Sequence, residues 1–222
     1  MAKDKRNQLN RRNVVKGLGV TASVGLLGGL SSATPGQDDA VSADMVVENK
    51  PNLVDEFVTR SLEQGETDSV VKAYSELDEK QLELVRDAYE RVTTTEISPE
   101  NANAITPESI PISPSVSYTH KIKETNTTIW KASMTLDCDY YPSNNNVTYR
   151  SLSSNGDAPN SLWHYKGIDY SNVDTAGAVD AKRKLRFSHS VAGQHISTNQ
   201  AILDIIAYDN GNVNKSANRK VL

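Results

Sequence analysis

Few residues of this chain combine the type and the spacing that site chemistry requires. The four histidines, His120, His164, His189 and His195, show no His-x3-His spacing, and one cysteine excludes a Cys-x2-Cys pair, so no zinc site is predicted. That cysteine, Cys138, cannot form an intramolecular disulfide, and it falls on the apolar side of a predicted strand, which favours a small buried residue. No nucleophile elbow occurs. We therefore expect no catalytic, cofactor-binding or metal-binding residue.

Two groups of acidic residues are the candidates for oxygen chemistry. Asp137 and Asp139 share the outward face of a predicted strand, with the spacing of a weak calcium pair. The stretch 209–212 (Asp-Asn-Gly-Asn) resembles part of an oxygen-ligand loop, but the acidic ligands that should follow are missing. Solvated residues explain both groups more simply, although a carboxylate-based hydrolase stays open as a hypothesis.

A basic run and several aromatic residues form the candidate binding surface. Strand alternation in the run 182–186 (Lys-Arg-Lys-Leu-Arg) places three cations on one face, where an anionic glycan, a lipid head group or the acidic helices could meet them. The aromatic residues lie near predicted strand ends, as in surfaces that stack on sugars, although core packing is the default interpretation for Trp163. The residues of this surface are Tyr140, Tyr141, Trp163, Tyr165, Lys182, Lys184 and Arg186.

The elements that must position these residues change type along the chain. Residues 45–96 show helical periodicity and acidic outer faces, with a capping box from Asp78 to Gln81. Residues 97–115 carry four prolines and are predicted to be a linker. Residues 116–222 alternate with period two in six or seven strands without a βαβ pattern. The prediction is an antiparallel β-sandwich, immunoglobulin-like or related, preceded by a short helical unit.

The N-terminal 33 residues read as a leader, followed by a spacer at 34–44. Arg11, Arg12 and Lys16 precede an uncharged, glycine-rich stretch that ends in small residues, with cleavage expected after Ala33. This pattern resembles the twin-arginine (Tat) signal family of haloarchaeal type. The resemblance covers only the leader and implies export of folded cargo by the Tat translocase. The remaining chain resembles no characterised family.

Charge and composition limit the other functional classes. The leader has a net charge of +5, residues 38–100 have −11, and residues 101–222 have +2. The chain therefore lacks the basic patch that nucleic-acid binding requires. The leader is too short and glycine-rich for a permanent membrane span. Three glycosylation acceptors in the exported part would suit a glycoprotein, namely Asn126, Asn146 and Asn214.

These patterns favour a secreted or cell-surface protein without a cofactor. The first hypothesis is a non-catalytic binding or structural β-sandwich with a cell-envelope glycan or protein as partner. The alternative is a secreted antimicrobial protein of the halocin or bacteriocin type, in which the acidic helical segment is a pro- or immunity part. The hydrolase that uses Asp137 and Asp139 is the third hypothesis.

Overall fold

Three helices open the part of the chain that the computed structural model describes, which is residues 40–100 and 109–222. The residues predicted for the export signal and its cleavage, Arg11, Arg12, Lys16 and Ala33, lie outside the described residues. After a 3-10 turn at Ala43–Met45 come α1 (Pro51–Gln64), α2 (Asp68–Ser75) and α3 (Glu79–Val92). None of the helices in the described ranges is both long and apolar enough to cross a bilayer.

Local sequence signals account for the helix boundaries. Pro51 occupies the first turn of α1, where its missing N–H costs nothing, and Gly65 ends the helix at a φ of 67°. The predicted capping box of α3 is confirmed. The Asp78 carboxylate accepts from the Gln81 backbone N–H at 2.9 Å, and the Gln81 side-chain oxygen accepts from the Asp78 N–H at 3.0 Å.

Two antiparallel sheets form the rest of the fold, which confirms the predicted mainly-β architecture with a helical unit in front. The first sheet has the order β1–β3–β4–β5, and β2 pairs with β4 beyond the end of β3. The second sheet has the order β6–β7–β8–β9. The strands are β1 Thr93–Glu100, β2 Ile110–Ile112, β3 Ser115–Ile122, β4 Thr128–Tyr141, β5 Asn146–Asp157, β6 Trp163–Asp174, β7 Ala178–Val191, β8 Gln194–Tyr208 and β9 Val213–Val221.

The strand bounds differ from what the sequence patterns indicate in three places. The described residues of the expected linker lie largely in β1 and β2. Strand β9 has a weak pattern, because only Ala217 of its side chains is buried. An Asn-Gly pair is typical of a turn, but Asn155 and Gly156 lie inside β5. The Tyr165 ring occupies the space where a Cβ of Gly156 would stand, 2.4 Å from the nearest ring atom.

One hydrophobic core connects the helices to both sheets. Helix α3 packs on β1 and β8, and α2 packs on β7. Strands β3 and β4 face β7 and β8 across the sandwich, with β9 against β3 and β5 beside β6. The buried side chains of the helical segment belong to the same core as the sandwich.

Candidate binding face of the second sheet

The predicted basic residues do lie together on the outer face of the second sheet. Alternation along β7 turns Val179, Ala181 and Leu185 into the core, and Lys182, Lys184 and Arg186 outward. Lys182 forms an ion pair with Asp204 of β8 at 3.0 Å, and Arg186 pairs with Asp169 of β6 at 2.7 Å. Two of the three cations are therefore neutralised within the sheet, which orders their side chains.

An exposed tyrosine completes this face. Tyr170 of β6 is directly opposite Lys184 in the pairing register, and the Lys184 ammonium lies 5.0 Å from the centroid of its ring. The ring is 43% exposed, so it is available to a ligand. Next to it, the Asp169 carboxylate also accepts from the Gln200 amide at 2.8 Å. A flat aromatic surface thus stands beside a fixed set of hydrogen-bonding groups.

Strand β8 contributes apolar residues to the same face that sequence reasoning missed. Its inward side chains, Leu203 and Ile205 among them, are fully buried. Its outward positions include Ile202 and Ile206, both partly buried, and Tyr208, which is 36% exposed. A strand that faced only water on this side would alternate apolar with polar residues. In the sequence, the run 201–207 is apolar at every position except Asp204, and this pattern indicates that both faces of β8 carry apolar side chains.

The four aromatic residues proposed from the sequence do not share this face. The Trp163 side chain is only 1% exposed, so it cannot stack on an external sugar. Tyr165 packs on the Phe187 ring at a centroid distance of 5.4 Å. Tyr140 lies against the β8–β9 turn, where a Cβ at Gly211 would be 2.9 Å from its ring, and Tyr141 follows it at the end of β4. Tyr170 is the exposed aromatic residue that the basic run meets.

The candidate oxygen ligands are satisfied by neighbouring protein groups. Asp137 accepts from the Ser151 hydroxyl at 2.6 Å, and the Ser113 and Ser151 hydroxyls lower the pKa of its carboxyl. Asp139 pairs with Arg150 at 3.4 Å. In the turn 209–212, the Asn210 side chain accepts from the Asn212 N–H. Within the described ranges, no group of three or more His, Cys, Asp or Glu residues could hold a metal ion.

Cys138 and the glycosylation acceptors have clear environments. The Cys138 thiol is buried, and burial together with Asp137 and Asp139 raises its pKa to about 11. The thiol is therefore protonated at neutral pH, which confirms the prediction of a small buried residue. The side chains of the three sequon asparagines, Asn126, Asn146 and Asn214, are all exposed.

Two buried histidines lie where the helices meet the sandwich. His120 of β3 and His189 of β7 are 1% and 0% exposed. The Tyr89 ring of α3 lies near both, at centroid distances of 5.5 and 5.8 Å. His120 stacks on Trp130 at 4.9 Å, and His189 stacks on Trp163 at 5.0 Å.

Neither ring has a hydrogen-bond partner of good geometry among the described residues. Burial lowers the pKa of each imidazole to about 3; Arg219 contributes for His120, and His195 and His164 contribute for His189. The Thr94 backbone offsets a small part of the effect on His120. Both imidazoles are neutral at physiological pH and serve the core rather than an accessible site.

Comparison of the chain with protein-family models, curated proteins and solved structures finds no match. The candidate binding face therefore rests on the geometry of Tyr170, Lys184 and the paired side chains around them.

Proposed function

We propose that this protein is an exported, non-catalytic module that binds a cell-envelope glycan through the outer face of its second sheet. The leader that resembles a Tat signal supports delivery to the cell surface or the surroundings, with the module folded before export. The observation that carries the binding proposal is the exposed Tyr170 ring, with the Lys184 ammonium 5.0 Å from its centroid.

The chemistry of this face suits a sugar better than a protein partner. The ring of a sugar presents C–H groups that pack on an aromatic face, and its hydroxyls need donors and acceptors held in place. Asp169, Arg186 and Gln200 are held by their mutual hydrogen bonds at 2.7 and 2.8 Å. Because these groups are ordered before binding, the binding of a ligand does not have to cover the free-energy cost of ordering them.

The shared core supports a helical segment that stays with the module. Tyr89 of α3 contacts Trp163 at a centroid distance of 5.3 Å, and Tyr74 of α2 is fully buried. Removal of the helices would expose the Trp163 side chain of the sandwich to water. A pro- or immunity segment designed for release would be expected to pack less deeply.

Replacement of Tyr170 tests the binding proposal. We expect Tyr170→Ala to weaken glycan binding about tenfold or more, because the stacked ring and its buried area are lost. Affinity electrophoresis through gels that contain soluble envelope polysaccharides of the producing cells, together with pull-down on their isolated insoluble envelope polymers, measures the effect.

Tyr149→Ala is the matched control, since Tyr149 lies on the first sheet and is 37% exposed. This variant should bind as the wild type does. If the wild type binds none of these polymers, or if both variants lose affinity equally, the proposal is wrong.

Export is tested separately. The Arg11→Lys/Arg12→Lys variant should remain inside the cell, whereas the wild type should appear outside with a mass that corresponds to cleavage after Ala33. Intact-mass spectrometry of the culture medium distinguishes the results. Secretion of the variant at the wild-type level would contradict the assignment of a twin-arginine signal.

A further inference from the structure

The fourth cation of the basic run points the opposite way from its neighbours. Arg183 lies on the inner face of β7, between Ala181 and Leu185, which are both fully buried. In the sheet register it is aligned with Leu203 of β8 and Ala217 of β9, which also face the core. A guanidinium thus occupies a position where the sheet otherwise places apolar side chains.

No carboxylate compensates this charge within the described ranges. The contact of Arg183 that the structure shows is a long hydrogen bond of 3.4 Å from Nη2 to the Leu152 carbonyl of β5. Its Nε is buried and has no hydrogen-bond partner among the described residues, although the residue as a whole is half-buried. A charge that is partly withdrawn from water without a counter-charge is costly, and the cost falls when an anion joins it.

Further polar groups lie on the flanking strands. Ser154 is two residues beyond Leu152 on the same inward side of β5, and its hydroxyl is buried without a hydrogen-bond partner among the described residues. Burial raises the pKa of the Tyr165 phenol, and the nearby Arg183 guanidinium opposes that rise. Strands β5 and β6 are neighbouring edges of the two different sheets, and no ladder of hydrogen bonds joins them. Access between these edges would not require a ladder of hydrogen bonds to break.

We propose that Arg183 and Ser154 form a binding site for a carboxylate at the seam between β5 and β6. The Nε and Nη2 donors of a guanidinium form a fork that matches the two oxygens of a carboxylate. The Ser154 hydroxyl supplies a further donor. The site is independent of the outer face of the second sheet, since Arg183 lies on the opposite side of β7 from Lys184.

Thermal unfolding of the full chain in sodium acetate at constant ionic strength tests the site. We expect a saturable rise in Tm of roughly 3 to 6 °C at a tenfold excess of acetate over its Kd. Sodium chloride should produce a smaller rise, because a single ion cannot use both donors of the fork. A parallel titration with glucuronate shows whether the carboxylate of a sugar acid binds more tightly than acetate.

Three variants assign the response to Arg183. Arg183→Met, which is apolar and of similar length, should lose the acetate response but remain folded, since an apolar side chain suits this half-buried position among core residues. Arg183→Lys keeps the charge but lacks the fork, and it should weaken acetate binding about tenfold. Arg150→Met removes an exposed arginine of β5 and should respond as the wild type does.

A second measurement does not depend on stability. The Nε–H resonance of Arg183 in the NMR spectrum of the wild type should shift as acetate is added. An acetate response that persists in Arg183→Met, an equal response to chloride, or a resonance that does not move would overturn the proposal.

Discussion

The free energy of unfolding should fall by about 5 kcal/mol between pH 7 and pH 4.5, because two buried imidazoles must take up protons when the protein unfolds. His120 and His189 each have a folded pKa near 3, against 6.5 for an exposed histidine. Between these values the unfolded chain binds the extra protons. The contribution of these two histidines to the free energy of unfolding is therefore fully present above pH 6.5. It is lost as the pH falls toward 3.

The groups around the two rings do not reverse this sign. His120 faces Tyr89 of α3 and lies near Arg219, whose positive charge disfavours the imidazolium. Arg219 itself pairs with Glu90 of α3. His189 faces Tyr74, Tyr89 and Trp163, and His195 and His164 lie near enough to lower its pKa further.

Urea titrations from pH 7.5 to 4.5 measure the effect in wild type and variants. His189→Leu removes one buried titrating group at similar volume, and it should leave stability at pH 7 within about 1 kcal/mol while it removes about half of the pH dependence. His164→Gln removes an exposed histidine that contributes least to the lowered pKa of His189, so it should change the pH dependence far less than His189→Leu does. An unchanged slope in His189→Leu would show that other groups cause the acid sensitivity.

Tyr89→Ala should lower the free energy of unfolding by about 3 to 5 kcal/mol and should loosen the helices and the sandwich together. The Tyr89 ring is 1% exposed and contacts His120, Trp163 and His189, which belong to three different strands. Its loss leaves a large cavity where α3 meets both sheets. Far-ultraviolet circular dichroism and tryptophan fluorescence report the two parts during urea unfolding.

Two controls separate packing from polar effects. Tyr89→Phe should cost little, because the Tyr89 hydroxyl is buried without a hydrogen-bond partner, although it lies near the Trp130 indole. Tyr208→Ala removes an exposed tyrosine of β8 and should cost less than about 1 kcal/mol. If the helices and the sandwich unfold at different urea concentrations, the conclusion that they share one core is contradicted.

Local signals in the sequence were sufficient for the elements with strong patterns. The capping box at Asp78 placed the start of α3, and period-two alternation placed β4 with Cys138 on its buried side. The same alternation placed Lys182, Lys184 and Arg186 on one face. These features depend on residues close to one another in the chain, so no tertiary information was needed.

The remaining features depend on contacts between distant residues. Gly156 and its neighbour Asn155 read as a turn, yet the Tyr165 ring from β6 makes a glycine necessary inside a strand. Strand β9 is polar at an edge, and only its pairing with β8 defines it. The partnership of Tyr170 with Lys184 required the β6–β7 register, which two irregularities shift. The choice between surface and core for Trp163 depended on the helices that cover it, which could not be positioned from the sequence.

The binding role of the outer face of the second sheet is tested most directly by NMR titration of the folded protein with oligosaccharides from the polymer that it retains. We predict that shifts concentrate on the backbone amides around Tyr170, Lys184 and Ile202, which are aligned across β6, β7 and β8. Amides of the first sheet near Tyr149 should not move. Shifts confined to the first sheet or to the helices would contradict the account.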